Sequence, residues 1–329
     1  MNENKDKNII VSVVIPVYNE ERYIEKCILS LLQQDYQKEQ MEWVFVDGGS
    51  NDNTLLIIEN YMHKYPELIK LYNNPNKTVP YAMNIGIKAS VGKYIIRVDA
   101  HSEYANDYIS KCVYYLENTN ADNVGGAIET KSKGYVGNAI ALMLSSKFGV
   151  GNSQFRINGK GGYVDTVPFG AFRREVFEKC GLYNEKLTRN QDIELNYRIR
   201  KNGGKIYMTK DIKLSYYCRD TIKGLVAMAM KDGKWNVITM KISPGAMRVR
   251  HLVPLAFLLS LIVLPLLSLL IPNLIYLLLS ELVLYFLLDI IFSIKAAKEF
   301  KYIPLLLILF PIFHLSYGFG SLIGLPEKA

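Results

Sequence analysis

The sequence predicts an α/β fold, a doubly wound and mainly parallel sheet, followed by a tail of membrane-spanning helices. Three observations predict it. β-branched runs alternate with helical periodicity over the first hundred residues, three long apolar stretches close the chain, and the net charge lies ahead of those stretches. Of the 39 basic and 31 acidic residues, 35 and 27 fall in the first 250 positions, so the whole +8 belongs there. From His251 onward stand four lysines, no arginine and four acids (Glu281, Asp289, Glu299, Glu327). This division excludes both a soluble one-domain protein and a disordered chain.

Residues 8–17 (NIIVSVVIPV) are too continuously apolar for a half-exposed strand and read as a central strand of a parallel sheet. Residues 20–34 follow with helical spacing, Ile24, Cys27, Ile28 and Leu31 forming one stripe. A strand at 42–46, the turn DGGSND, a helix over 54–64, a strand at 69–72, a helix at 79–89 and a strand at 94–98 continue the alternation. Repeated β-α-β units give right-handed crossovers, and ligands bind beyond the carboxyl ends of such strands. The polar residues cluster at those ends: Asn19 and Glu20 after the first strand, Asp47 after the second, Asp99 and His101 after the fourth.

Residues 252–271, 274–294 and 302–325 are each long enough, at 1.5 Å per residue, to cross a hydrocarbon core about 30 Å thick. Pro311, His314 and several glycines leave the third open to a re-entrant path. Arg248, Arg250 and His251 precede the first span, and Lys295, Lys298 and Lys301 lie between the second and third. Both basic clusters belong on the cytoplasmic side, separated by an even number of crossings. Glu281 and Asp289 lie inside the second span, where acids usually face a protein interior or a polar cavity. Residues 221–247 mix lysines with Trp235, Ile238 and methionines, which suits either a segment lying on an anionic membrane face or an amphipathic packing helix.

The polar start MNENKDKNII lacks the apolar core of a signal peptide. Cys27, Cys112, Cys180 and Cys218 lie far apart with no CxxC pair and read as reduced thiols of a cytoplasmic domain. The domain organisation expected is a cytoplasmic domain over 1–240, a membrane-interface segment over 220–250 and a membrane domain over 251–329.

Neither G-x-G-x-x-G after the first strand nor G-x-x-x-x-G-K-[ST] occurs, which removes the support for hydride transfer or a P-loop NTPase. Asp99-Ala100-His101 ends an apolar strand, offering one oxygen and one nitrogen to Mn²⁺ or Mg²⁺ on a diphosphate, or else simple turn chemistry. Asp47 and Asp52 read equally as turn formers, and Asp192 as a helix-start residue favoured by the macrodipole. Asn84 and Arg97 stay ambiguous. The stretch GKGG at 159–162 reads as a loop able to close over a ligand or as a hairpin connection. No gathering of basic residues with stacking aromatics points to nucleic acid.

Together VSVVIPVYNE, VFVDGGSNDNT, YAMNIGI, GKYIIRVDAH and NQDIELNYRIRKNGG, in this order over residues 9–240, resemble the family 2 glycosyltransferases. VDAH followed by YVDTVPFGAFRREVF and the spans is most similar to the succinoglycan-type exopolysaccharide enzymes. The resemblance implies an inverting GT-A fold, a Rossmann-like sheet that binds a nucleotide sugar, with C-terminal transmembrane helices. It implies transfer from a nucleotide-diphosphate donor, a UDP-sugar, to a polyprenyl-diphosphate-linked acceptor at the inner face of the cell membrane. It places Pro16, Tyr18, Asn19 and Glu20 around the uridine and Asp47 at the base or ribose, with Gly48 replacing the usual second acid. Asp99 and His101 match the metal-binding Asp-x-Asp, so that Asp99 serves donor and Mn²⁺ or Mg²⁺ alike. Asp192 matches the catalytic base, Gln191 standing where the family has Glu. Lys234-Trp235 is only faintly similar to the QxxRW of processive synthases. Other readings are a processive polysaccharide synthase, a polyprenyl-phosphate glycosyltransferase, and an inactive nucleotide-sugar-binding scaffold.

Overall fold

A computed structural model describes residues 8–157 and 159–327; the polar stretch at 1–7 lies outside the described residues. The elements in order are β1 (Val11–Val17), α1 (Ile24–Leu32), β2 (Met41–Asp47), α2 (Thr54–Lys64), β3 (Ile69–Asn73), α3 (Val79–Ala89), β4 (Tyr94–Arg97), β5 (Ser102–Tyr104), α4 (Tyr108–Asn118) and β6 (Asn123–Lys131). Then come α5 (Gly134–Leu144), α6 (Lys147–Val150), β7 (Gly162–Tyr163), β8 (Ala171–Arg173), α7 (Glu175–Cys180), α8 (Gln191–Lys201) and β9 (Ile206–Tyr217). Helices α9 (Ile222–Ile242), α10 (Val253–Ser268), α11 (Leu274–Ala296) and α12 (Ile303–Gly324) follow. They form two compact units. The first runs up to Glu129 and includes Lys160–Tyr216; the second comprises Thr130–Gly159 and the chain from Tyr217 onward.

The first unit is built on a mixed sheet of order β3-β2-β1-β4-β8-β6-β9-β5, with β7 beside β9. β3, β2, β1 and β4 are parallel and the β4–β8–β6 steps antiparallel. All seven residues of β2 and all but Pro16 of β1 are buried, as the nearly continuous apolar run of β1 requires. Two polar residues inside them are registered opposite each other, Ser12 against Glu42. The Ser12 hydroxyl and the Val91 backbone N–H donate to Glu42 Oε1 at 2.6 Å each, and Lys70 Nζ pairs with Oε2 at 2.6 Å. Glu42 is thus a satisfied buried carboxylate tying three parallel strands together. The order reverses between β1 and β4, and the loops at that switch point carry the residues considered below.

In the second unit three helical segments, Val249–Ser268, Leu274–Ala296 and Phe300–Gly324, are long and apolar enough to cross a membrane, with mean hydropathies of 2.2, 2.2 and 1.8. The third is one continuous helix carrying Pro311 inside it. The two span acids are partnered. The Ser260 hydroxyl donates to Glu281 Oε1 at 2.8 Å, and Ser293 donates to Asp289 Oδ1 at 3.1 Å. Asp289 is fully buried rather than reaching out of the helix packing. His314 Nε2 lies 2.9 Å from the Phe148 carbonyl and Nδ1 2.9 Å from the Tyr285 hydroxyl. The carbonyl can only accept, so Nε2 carries the proton and Nδ1 accepts from Tyr285. Phe148, on α6, stacks on Phe292 with centroids 5.2 Å apart and meets Phe310 edge-on at 5.1 Å.

Helix α9, the lysine-bearing segment, buries Leu225, Ala229, Gly233 and Val237 in this unit. It packs closely on α12 because both helices carry glycine at their crossing. A Cβ on Gly320 would collide with the Met230 carbonyl, and one on Gly233 with the Tyr317 carbonyl. Small residues allow this backbone-to-backbone approach. Lys241 Nζ closes the end of α12, bonded to the Gly324 and Glu327 carbonyls at 3.3 and 2.8 Å. Gly320→Val is expected to lower stability by about 3 kcal/mol, since backbone cannot yield as a side-chain tip does. Thermal unfolding in detergent reads this out; an unchanged midpoint would contradict the close α9–α12 contact.

Candidate active site

The loops after β1 and β2 are stitched into one wall. Asn19, at φ 55°, donates its backbone N–H to Ser50 Oγ at 2.9 Å and accepts from the Asn51 N–H at 2.9 Å. Asp47 accepts from the Gly49 and Ser50 N–H groups at 2.8 and 3.0 Å and from the Ser50 hydroxyl at 2.6 Å. Its carboxylate therefore ties the DGGSND turn. Asp52 accepts from the Thr54 N–H at 3.0 Å and the Glu21 N–H at 3.2 Å, so it ties the turn ahead of α2 to the loop after β1. Tyr18 is half exposed on this wall and Pro16 is half-buried in β1. At Gly48 a Cβ would lie 3.2 Å from the Lys77 carbonyl, so the turn has little room for the larger acid expected there.

Beyond β4 the acids converge on one arginine. Arg97 is 4% exposed. Its Nε and Nη2 both lie 3.0 Å from Asp99 Oδ1, while Nη1 reaches Asp192 Oδ1 and Oδ2 at 2.7 and 2.8 Å. The carboxylate after β4 and the carboxylate at the start of α8, 95 residues beyond Arg97, thus share one guanidinium. Burial works against the Arg97 charge, but Asp192 and Asp99 outweigh it and hold the group protonated. Burial also raises the Asp192 pKa above the ordinary aspartate value, against the pull of Arg97. Asn190, just before α8, takes φ 61°, a left-handed conformation that asparagine tolerates, and turns the chain so that Asp192 sits in the first helical turn.

His101 Nδ1 lies 3.0 Å from Glu20 Oε1, and this bond, chiefly, raises the His101 pKa. Glu20 is thereby engaged with His101. With Nδ1–H donating to Glu20, neutral His101 presents the Nε2 lone pair elsewhere. A carboxylate fixing the far ring nitrogen is the usual support of a metal-bound histidine. Oδ1 of Asp99 is taken by Arg97, which leaves Oδ2 as the ligand face. One carboxylate oxygen and one supported imidazole fit a divalent cation. Among the described residues no group of three His, Cys, Asp or Glu gathers at one point, so a cation here would draw its other ligands from substrate and water.

Beside Asp192 and Arg97 stands the buried Tyr183, which also lines an open cavity of about 540 Å³ with Tyr81, Asn84, Leu182 and Lys186. Asn84 holds this loop. Its amide donates to the Tyr183 carbonyl and to Glu185 Oε1 at 2.9 Å each, and its oxygen accepts from the Tyr183 N–H at 2.9 Å. Gly162–Tyr163 pairs with Tyr207–Met208 of β9, so the GKGG stretch leads into a short strand.

The model for "Glycosyl transferase family 2" matches residues 12–181. The chain belongs to glycosyltransferase family 2. This glycosyltransferase is 30% identical over 318 residues to a dolichyl N-acetyl-alpha-D-glucosaminyl phosphate 3-beta-D-2,3-diacetamido-2,3-dideoxy-beta-D-glucuronosyltransferase of Methanococcus voltae, covering 94% of this chain and 95% of the relative. It is 31% identical over 250 residues to the succinoglycan biosynthesis protein ExoA of Rhizobium meliloti (strain 1021), 74% of each chain. In fold it is similar to the mannosyltransferase PcManGT of Pyrobaculum calidifontis, solved with GDP-Man and Mn²⁺, at TM-score 0.60 and 18% identity over 93% of this chain and 86% of that one. It is also similar to residues 1–349 of S. aureus TarS with UDP, at TM-score 0.51 and 17% identity over 95% and 90%. The fold is thus GT-A, and three candidate spans make the glycosyltransferase a membrane protein.

Of the residues singled out in the sequence, Asp99, Asp192, His101 and Glu20 are linked through Arg97 or directly, while Asp47 and Asn19 build the facing wall. Arg97 is the residue that sequence reasoning left unplaced. The available signal was a lone arginine in the otherwise apolar strand YIIRVD.

Proposed function

We propose that the glycosyltransferase moves a sugar, with inversion, from a UDP-sugar to a lipid-linked sugar acceptor carried on a polyprenyl diphosphate, in exopolysaccharide or capsule assembly. The carrying observation is the pairing of Asp99 and Asp192 through Arg97, which sets a helix-start carboxylate next to the donor-side acid. The names of the Methanococcus voltae relative and of ExoA support a lipid-linked acceptor and exopolysaccharide chemistry. The basic clusters around the spans support a multi-pass protein with its catalytic unit in the cytoplasm.

Asp192 takes the proton from the acceptor hydroxyl as that oxygen forms its bond to the anomeric carbon and the bond to the nucleoside diphosphate breaks on the opposite face. Asp99 and His101 would hold Mn²⁺ or Mg²⁺, which when bound supplies positive charge to the departing diphosphate. Glu20 orients His101, and the wall tied by Asp47 and Asn19, with Tyr18 exposed on it, takes the nucleoside. The cavity beside Tyr183 offers room for a sugar ring next to the base.

Membranes containing the protein, given labelled UDP-sugars and polyprenyl-diphosphate-linked acceptors, are expected to yield label in the lipid extract together with free UDP. Label appearing only as free sugar or as polymer extended without a lipid carrier would overturn this function.

A further inference from the structure

We propose that Arg97 is a positioning residue that joins the two halves of the reaction centre, one guanidinium fixing the donor-side carboxylate Asp99 and the base Asp192 relative to each other. The inference rests on the roles given above to those two acids and goes beyond them by making their geometry depend on a third residue.

Arg97 ends β4, a buried central strand, and its backbone N–H is bonded to the Gly170 carbonyl at 3.1 Å. The guanidinium lies 5.5 Å from the Phe169 ring centroid, within reach of a cation–π contact. Held at both ends, the planar fork spends Nε and Nη2 on one carboxylate and Nη1 on the other. Lysine could supply the charge but not this divided geometry, because an ammonium is a point donor on a flexible stem. Two functions follow for the one group. It keeps the half-buried Asp192 ionised and fixes the plane of its carboxylate, and by occupying Oδ1 of Asp99 it decides that Oδ2 faces the donor. Two carboxylates on one guanidinium leave the trio with a net charge of −1, which favours the arrival of a further cation at Asp99.

A salt bridge kept only for folding would not distinguish the two acids' chemistry, and a double-mutant cycle separates the cases. Arg97→Lys is expected to lower kcat by on the order of 10²-fold, the cost of a misplaced base of about 1 Å. In an Asp192→Asn background, assayed with labelled donor over long incubations, the same change is expected to cost less than about threefold. In parallel, Arg97→Lys is expected to raise the concentration of Mn²⁺ needed for half-maximal UDP binding, and Asp99→Asn to remove that difference. Phe169→Leu is the second variant, since it loosens the guanidinium while leaving its charge. It is expected to reduce kcat severalfold in the parent and not at all beside Asp192→Asn.

Full losses at both Arg97 and Phe169 in the Asp192→Asn background would overturn the inference while leaving the base assignment intact. An Asp192→Asn protein still working at more than a tenth of the parent rate would remove the base assignment itself, and this inference with it.

Discussion

Asp192→Asn is expected to reduce transfer by about 10²–10⁴-fold while leaving UDP binding within a few-fold of the parent. The amide keeps the size of the carboxylate and its place in the first turn of α8, so the fold has little reason to change. What it loses is the ability to accept a proton at the moment the acceptor oxygen attacks. It also loses one of the two charges that hold Arg97, and a modest fall in thermal stability should accompany the kinetic loss. The pH profile supplies an independent reading. Burial raises the Asp192 pKa, so the acid limb of kcat should lie above the ordinary aspartate value of about 3.9, with activity falling as pH drops through it. That limb should vanish from the residual activity of the variant. Transfer at more than a tenth of the parent rate, or an unchanged acid limb, would show that another group takes the proton.

Asp99→Ala should be comparably damaging, on the order of 10²–10³-fold in kcat/KM, the loss that follows when a preorganised partner of developing charge is removed. It should also abolish stimulation by Mn²⁺ or Mg²⁺ and most donor affinity, read by titrating the cation against UDP binding as well as against rate. His101→Ala is expected to be milder, because a neutral imidazole offsets none of a cation's charge. It would leave Glu20 without its partner, so some loss remains. Equal or larger damage at His101 would overturn their ranking as ligands, and full activity of the parent after exhaustive chelation would exclude the cation altogether.

What was legible in the sequence was what is encoded locally. The continuous apolar run of β1 reported a sheet buried on both faces, the stripe from Ile24 to Leu31 reported α1, and the spans reported themselves by length. Asp99 and His101 stood out because they follow an apolar strand directly. The rest depends on partners far along the chain. Nothing near Arg97 points to Asp192, 95 residues away, and a terminal arginine on a strand looks like an ordinary boundary. Glu20 was placed by family pattern alone, and nothing near it in the chain points to the bond its carboxylate makes with His101 across 81 positions. Likewise nothing in the eleven residues of α5 announces that they group with the membrane helices, since a partner such as Tyr302, which meets Asn138, comes 164 positions later.

The glycine-to-backbone seam between α9 and α12 has a consequence for how the protein is made. The chain emerges from the ribosome in order, and α5, α6 and α9 are all complete long before Phe300–Gly324 is synthesised. Until then Phe148 lacks Phe310, the Lys241 ammonium lacks the carbonyls that it later caps, and the face of α9 around Gly233 lies bare. The seam between α9 and α12 therefore closes only after α12 has been translated. A premature stop between the end of α9 and the start of α12 would release a nascent product with an intact sheet and an unpaired apolar seam, the kind of polypeptide that cellular surveillance removes.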